Sequence, residues 1–199
     1  MKEIQKIYTI KKEEIRNKLQ EFKSLPEENW LDEHLFCLLT PQSNAQRCWE
    51  AIEQIKELKQ KSYKSINKIL STKTRFHNNK TNYILKALKE WEETKQKLSN
   101  QNIPESRNQL AESINGYGLK EAGHFLRNIG KSNNQIAILD RHILKHLQQH
   151  NLIKETKIKN AKHYKEIETI FLQFAKQSNI PADELDLLLW SSENGEVFK

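Results

Sequence analysis

Two residues of this sequence are candidates for catalysis, a lysine and an aspartate. Each stands at the predicted start of a helix. Lys120 comes shortly after the turn Gly116-Tyr117-Gly118, and Asp140 follows an apolar run and precedes an amphipathic segment. A lysine amine can form a Schiff base with an electrophilic carbon only when it is deprotonated, and a helix N-terminus disfavours its ammonium form. A plain surface charge is the alternative for Lys120, and a helix cap is the alternative for Asp140.

The turn Gly116-Tyr117-Gly118 joins two segments whose apolar residues recur at helical spacing. Glycines on both sides of one residue allow the backbone to turn with positive φ, which predicts a helix-hairpin-helix motif over about residues 107–129. Free backbone N–H groups at the start of the second helix suit a phosphate oxygen. An ordinary helical corner with a glycine C-cap and no ligand is the alternative.

A phosphate bound at this hairpin would place Lys120 beside a nucleic-acid backbone. The amine could then attack the anomeric carbon of a deoxyribose and form a Schiff base. A carboxylate held at a helix N-terminus is well placed to stay ionised, so Asp140 could stabilise an oxocarbenium-like sugar or help to deprotonate the amine. The two residues together indicate chemistry on the sugar of DNA, although capping alone also explains Asp140.

The charge balance of the chain is basic. It has 33 Lys and Arg residues against 26 Asp and Glu residues, a formal net charge of +7 and a pI near 9.2. Such an excess favours nucleic acid or an anionic surface over acidic partners. Many of the lysines lie in stretches typical of solvated helix faces. The basic excess alone therefore also fits a solvated surface that binds no partner.

Length and cysteine content set further limits. The 199 residues can bury a substantial core, as one large domain or two small, closely joined domains. The two cysteines, Cys37 and Cys48, are too few for the thiolates of an iron–sulfur cluster or a zinc site, and we expect buried free thiols. No apolar stretch reaches about 18 residues and no signal peptide opens the chain. We therefore expect an intracellular protein without membrane contact, metal or cofactor.

Helical period dominates the sequence, and strand period is suggested only at Ile4 to Ile10. The four prolines all fall at predicted junctions. We therefore predict an all-α protein. The predicted helices cover about Lys11–Leu25, Trp30–Leu39, Ala45–Leu58, Ser65–Leu70, Lys80–Lys97, Arg107–Ile114, Lys120–Ile129, Arg141–Gln149, Tyr164–Ser178 and Ala182–Ser192.

Residues 114–122 around the hairpin and residues 139–143 around Asp140 are similar to the signature of the helix-hairpin-helix GPD superfamily of DNA glycosylases. Within that superfamily, residues 120–130 and 137–144 resemble the archaeal-type 8-oxoguanine DNA glycosylase/lyases. The C-terminal tail adds to this resemblance, and the N-terminal half matches more loosely. The matching tail residues are Glu184–Leu187, Trp190, Gly195, Val197 and Lys199, and the N-terminal matches are Phe36–Thr40 and Arg75–Lys80.

The resemblance implies two helical subdomains with a cleft between them, interleaved in a single glycosylase unit over residues 1–199. It implies a bifunctional enzyme that flips 8-oxoguanine out of double-stranded DNA and excises it. Lys120 would displace the base as the nucleophile, Asp140 would be the acidic partner, and β-elimination would nick the strand 3′ to the lesion. The enzyme would act as a monomer and without a cofactor.

The same resemblance implies the contacts to DNA. Backbone amides around Gly116 and Gly118 would hold phosphates. Gln42 would fill the space that the flipped nucleotide leaves in the base stack, and Arg75 with Phe76 would act as an additional wedge. From the residues alone, Gln42 could instead be an ordinary residue near a helix start, and Phe76 could be a core residue.

The tail is implied to close over the base pocket, with Trp190 stacking on the flipped purine and the terminal Lys199 offering hydrogen bonds. Trp190 could also be a core residue. Ser43 stands where the family has an aromatic, and Glu196 stands where a lysine often precedes the final residues. Both departures bear on lesion specificity. They leave open a lyase of the same superfamily that acts on another lesion. Two further alternatives are a non-catalytic DNA-binding module and a helical scaffold.

Overall fold

The computed structural model describes residues 2–99, 102–195 and 197–199, which form helices and loops but no β-strand. The predicted all-α fold is confirmed. Glu196 lies outside the described residues. The helices are α1 (Lys2–Lys23), α2 (Trp30–Leu39), α3 (Ala45–Lys56), α4 (Tyr63–Lys73), α5 (His77–Lys89), α6 (Trp91–Gln96), α7 (Ile103–Ser113), α8 (Leu119–Asn128), α9 (Arg141–Gln149), α10 (Ala161–Gln177) and α11 (Ala182–Asn194), with short 3-10 helices at Glu27–Asn29 and Lys97–Ser99.

The start of the chain corrects the sequence analysis, because Ile4 to Ile10 is part of α1 rather than extended. Ile4, Tyr8 and Ile15 are 5%, 7% and 0% exposed, and their spacing places them on one face of the helix. Over a window of only a few residues, the order of apolar and polar side chains resembles the alternation of a β-strand. The period over the whole segment is helical, and the longer pattern decides the structure.

The prediction of one helix over Lys80–Lys97 is also wrong, because α5 and α6 meet at Glu90. No proline or glycine marks this break, and the Glu90 backbone leaves the helical region with φ −100° and ψ 12°. Trp91, which begins α6, stacks on His34 with ring centroids 5.5 Å apart and also contacts Phe125. Tertiary packing therefore ends α5 at a point where the local sequence carries no signal.

The chain forms two compact units. Unit 1 takes the chain up to Leu25 and from Leu126 onwards, and unit 2 takes Pro26–Phe125. Each unit has its own buried apolar residues. They include Ile15, Leu147, Phe171, Leu185 and Leu188 in unit 1, and Phe36, Ile52, Ile66, Leu70 and Ile84 in unit 2.

Two sequence-based expectations concern the interior and the membrane. Cys37 and Cys48 are both buried free thiols, as predicted. Within the described ranges, no helix combines the length and the apolar character that crossing a bilayer requires.

Unit 1 contains a buried ion pair that joins α8 to α11. Arg127 Nη1 donates to Asp186 Oδ2 at 3.1 Å, and the two side chains are 3% and 9% exposed. The Arg127 guanidinium also lies over the Phe22 ring, 5.3 Å from its centroid. Removal of one partner leaves a buried charge without compensation. We therefore expect Asp186→Leu to lower the free energy of unfolding by about 3–5 kcal/mol, measured by urea denaturation.

The matched control for this variant is Lys159→Gln in the same unit. Lys159 also pairs with a carboxylate, that of Glu155, but the two side chains are 59% and 48% exposed. Exposed pairs contribute little, so the urea midpoint of the control should stay close to that of the unchanged protein. Equal losses in Asp186→Leu and Lys159→Gln would show that burial does not govern the energetics of the Arg127 pair.

Candidate active site

The hairpin lies between the end of α7 at Ser113 and the start of α8 at Leu119. Its tight turn depends on Gly116, which has φ +96°, and the Tyr117 N–H donates to the Ile114 carbonyl at 3.1 Å. A Cβ on Gly116 would lie 2.6 Å from Cδ2 of Tyr83. Positive φ was expected at both glycines, but Gly118 does not have it. Of the two hairpin glycines, Gly116 therefore requires glycine for its backbone conformation and Gly118 does not.

A partly buried polar contact holds the middle of the hairpin. The Tyr117 hydroxyl donates to the His34 carbonyl at 3.1 Å, and its oxygen lies 2.8 Å from His34 Nδ1. Burial lowers the pKa of His34 to about 3 and raises the pKa of Tyr117 well above its usual value, so both groups are neutral at pH 7. His34 was not predicted as a site residue, and its one signal in the sequence is a histidine inside the apolar segment that forms α2.

Lys120 lies in the first turn of α8 and is 22% exposed. Its Nζ is 3.5 Å from Oε1 of Glu121, while Oε2 of the same carboxylate accepts a hydrogen bond from the Gly118 N–H at 3.1 Å. Glu121 therefore links the hairpin backbone to the candidate nucleophile. A glutamate three residues after the residue that caps a helix often reaches back in this way, and this spacing could have identified Glu121 from the sequence.

Another lysine of unit 2, Lys80, is buried. It lies close enough to Lys120 for their charges to interact. The pKa of Lys80 is lowered to about 8, mainly by burial and also by the charges of Arg75 and Lys120, while Cys48 opposes the shift. Burial also raises the pKa of the Cys48 thiol to about 11, so this cysteine is not a thiolate at neutral pH. The Cys48 thiol donates to the Leu39 carbonyl at 3.2 Å.

The structure brings together the two loops that carry Gln42 and Arg75. The Arg75 N–H donates to Ser43 Oγ at 3.0 Å, and the Arg75 guanidinium lies 5.3 Å from the centroid of the Phe76 ring. Gln42 and Phe76 have φ values of 54° and 56°, which are uncommon for residues other than glycine. Phe76 is 53% exposed and is therefore not a core residue. Gln42 precedes α3, which begins at Ala45.

Asp140 is the N-cap of α9. Its Oδ1 accepts hydrogen bonds from the His142 and Ile143 N–H groups, both at 2.8 Å. The backbone before Asp140 is fixed by Tyr164, whose hydroxyl donates to the Ala137 carbonyl at 2.7 Å and accepts from the Leu139 N–H at 3.2 Å. The predicted cap is confirmed. In the part of unit 1 that the structure describes, the other carboxylate oxygen, Oδ2, accepts no hydrogen bond from protein.

Trp190 lies on α11 and is half-buried, and so is Lys199. The end of α11 is joined to α9 by Glu193, which was not predicted as a site residue. The Glu193 carboxylate accepts from Lys145 Nζ at 2.9 Å and lies 3.6 Å from His146 Nε2. The helix that carries Trp190 and the helix that Asp140 caps are therefore held to each other within unit 1.

The predicted site residues divide between the units. Gln42, Arg75, Gly116, Gly118 and Lys120 belong to unit 2, and Asp140, Trp190 and Lys199 belong to unit 1. Within unit 2, hydrogen bonds connect the loops of Gln42 and Arg75, and Glu121 connects Gly118 with Lys120.

Comparisons with known proteins agree with this geometry. A family model described as 8-oxoguanine DNA glycosylase matches residues 2–180. A relative from Fusobacterium nucleatum subsp. nucleatum, named 8-oxoguanine DNA glycosylase/AP lyase, is 38% identical and covers 99% of this chain and 96% of its own. A relative of the same name from Methanocaldococcus jannaschii is 33% identical, with coverage of 98% and 99%.

Solved structures give the same result. The crystal structure of the M. jannaschii 8-oxoguanine glycosylase/lyase in complex with 15mer DNA containing 8-oxoguanine matches with a TM-score of 0.88 and 32% identity, covering 100% of both chains. The 8-oxoguanine DNA glycosylase of Thermotoga maritima matches with a TM-score of 0.87 and 28% identity, covering 100% of this chain and 97% of its own. The chain therefore belongs to the helix-hairpin-helix family of 8-oxoguanine DNA glycosylases.

Proposed function

We propose that this protein is a bifunctional 8-oxoguanine DNA glycosylase and AP lyase, which acts inside the cell as a monomer on double-stranded DNA containing oxidised guanine. The whole chain acts as one glycosylase unit. The observation that carries the proposal is the position of Lys120, in the first turn of the helix that follows the Gly116 hairpin, in a chain that relatives of this name match over nearly its full length.

The covalent chemistry belongs to Lys120. Its neutral amine attacks C1′ of the damaged nucleotide, and the bond between C1′ and the base breaks. The base leaves with the bonding electrons and takes up a proton. The sugar ring opens to give a Schiff base, and removal of a C2′ proton then expels the 3′ phosphate and nicks the strand. Water hydrolyses the remaining imine and restores the Lys120 amine.

Asp140 assists this reaction as a charged group held in one orientation. Two backbone N–H groups fix Oδ1, and the helix N-terminus favours the ionised carboxylate. The carboxylate stabilises positive charge that develops on the sugar, or takes the proton of the Lys120 ammonium, while Oδ1 continues to cap the helix. Trp190 and Lys199 are assigned to the base pocket, where an indole can stack on a flipped purine.

The hairpin binds the DNA backbone through the amides around Gly116 and Gly118 and at the start of α8, whose first N–H groups have no partner within the helix. The Gly118 N–H already donates to Glu121. A phosphate bound at this amide therefore displaces the Glu121 carboxylate. Because that carboxylate lies 3.5 Å from Lys120 Nζ, DNA binding also changes the surroundings of the nucleophile.

The hairpin assignment predicts unequal effects of two similar substitutions. Gly116→Ala places a Cβ against the Tyr83 ring in a backbone conformation that alanine rarely adopts, so the hairpin must shift. We expect its affinity for duplex DNA to fall by about tenfold or more, measured by fluorescence anisotropy. At Gly118 the nearest atom to an added Cβ is the flexible Glu121 Oε2, at 3.2 Å, and Gly118→Ala should bind more tightly than Gly116→Ala. An affinity of Gly116→Ala equal to that of the unchanged protein would remove the hairpin from the DNA interface.

Covalent trapping tests the proposed function as a whole. The protein is incubated with sodium borohydride and labelled duplex that contains 8-oxoguanine opposite cytosine, beside a duplex with an abasic site. A Schiff base is reduced to a stable adduct, so we expect a shifted band on both duplexes. A band on the abasic duplex alone would keep the lyase and remove 8-oxoguanine as its substrate. No band on either duplex would leave only a DNA-binding role.

A further inference from the structure

The buried lysine of α5 contacts both loops that are assigned to the DNA duplex. Lys80 is 3% exposed, and its Nζ donates to the Leu39 carbonyl at 2.7 Å, the Pro41 carbonyl at 2.9 Å and Ser43 Oγ at 2.8 Å. Its backbone N–H donates to the Phe76 carbonyl at 3.1 Å. One residue is thus hydrogen-bonded to the loop of Gln42, residues 40–44, and to the loop of Arg75, residues 74–76.

Ser43 completes this connection. Its hydroxyl oxygen accepts from both Lys80 Nζ and the Arg75 N–H, so it joins the same two loops a second time. Ser43 is the position at which the sequence departs from the aromatic residue of the family pattern. A small hydroxyl can approach an ammonium and an amide at once, whereas an aromatic ring without a polar atom cannot accept these bonds.

The two loops present their DNA-facing side chains from strained backbone. Gln42 and Phe76 both lie in the left-handed region, and Phe76 is half exposed beside the Arg75 guanidinium. Such conformations persist only where the surrounding structure holds them. The ammonium of Lys80 supplies that restraint. Because it is buried, moving the loops away from it would leave its charge without its three acceptors, and this would strongly destabilise the folded protein.

We propose that Lys80 and Ser43 form a clamp that holds Gln42 and Arg75 with Phe76 in one fixed arrangement, so that these side chains enter the duplex together when the damaged nucleotide is flipped out. This inference rests on the proposed function. Lys80 and Ser43 are positioning residues, since they act through the loops and do not touch the reacting sugar. Base flipping breaks stacking and pairing, and side chains that are already in place replace those contacts without a further ordering cost.

The test separates base flipping from covalent chemistry. Lys80→Met and Ser43→Ala are assayed for base release from the duplex with 8-oxoguanine under single-turnover conditions. They are also assayed for strand cleavage at an abasic site in single-stranded DNA, which has no base to flip and no stack to open. A 2-aminopurine placed beside the lesion reports flipping directly through its fluorescence.

We expect base release to fall by about a hundredfold in Lys80→Met and by about tenfold in Ser43→Ala, with the fluorescence change slowed to the same degree. Cleavage of the single-stranded abasic substrate should stay at the level of the unchanged protein. The matched controls are Lys89→Met, an exposed lysine of the same helix, and Ser71→Ala, an exposed serine whose hydroxyl donates to the Lys68 carbonyl within α4. Both controls should retain full base release and full cleavage.

Three outcomes would overturn the clamp. Equal losses on the duplex and on the abasic single strand would show that Lys80 and Ser43 merely support the fold. Unchanged base release in Ser43→Ala and Lys80→Met would show that the loops need no restraint, and Ser43→Ala alone decides if Lys80→Met fails to fold. Absence of a borohydride adduct in the unchanged protein would overturn the proposed function itself, and with it the clamp.

Discussion

Lys120→Gln is expected to abolish both base release and strand nicking while leaving DNA binding in place. Glutamine keeps a polar side chain of similar length but has no amine that could form a Schiff base. The turnover rate should fall by on the order of 10⁴-fold or more, and no adduct should form in borohydride. The measurement is a single-turnover assay on the duplex with 8-oxoguanine, run beside an anisotropy titration with the same DNA.

A matched lysine controls for the loss of positive charge. Lys64 is the second residue of α4, as Lys120 is the second residue of α8, and it is exposed. Lys64→Gln should therefore retain base release and adduct formation. Persistent cleavage in Lys120→Gln, with an adduct mapped to another lysine, would refute the assignment of the nucleophile.

Asp140→Asn has the second largest expected effect, a fall in turnover of about 10²–10⁴-fold. The variant isolates the charge from the cap, because an asparagine Oδ1 can accept the same two backbone hydrogen bonds that Asp140 accepts from His142 and Ile143. Asparagine and aspartate cap helices about equally well, so the melting temperature should change little. Single-turnover rates and a thermal melt of the same preparation provide the test.

Asp140→Ala is the companion variant, because it removes the cap together with the charge. It should lose about 1 kcal/mol of stability in addition to activity. If Asp140→Asn kept full turnover and only Asp140→Ala lost it, Asp140 would be a structural cap and would take no part in the chemistry.

Local patterns in the sequence were sufficient to predict the hairpin and the N-cap at Asp140. The turn at Gly116 and the N-cap at Asp140 depend on backbone conformation within a few residues, and glycine, aspartate and the periodic apolar positions report on that conformation directly. Glu121 belongs to the same class, since its spacing from Gly118 is that of a capping interaction. These features could be predicted before any tertiary contact was known.

The features that the sequence did not reveal depend on residues that are distant along the chain. α5 ends at Lys89, just before the point where Trp91 packs on His34, and no residue near this break signals it. In the sequence Lys80 is one of many lysines, and its three acceptors, one at the end of α2 and two in the loop of Gln42, show that it is buried and paired. A hydropathy pattern cannot distinguish such a lysine from a solvated one, because the distinction lies in the partners.

The neutral pair of His34 and Tyr117 determines how the hairpin responds to acid. Since the pKa of His34 is about 3 in the folded protein and near 6.5 in an unfolded chain, only the unfolded chain gains a proton at this position between those pH values. Acidification through this window therefore lowers the stability of the folded state without altering the contact that shapes the turn. Each folded molecule therefore keeps the contact between His34 and Tyr117 in this pH range, and acid lowers the fraction of folded molecules without loosening the hairpin at this position.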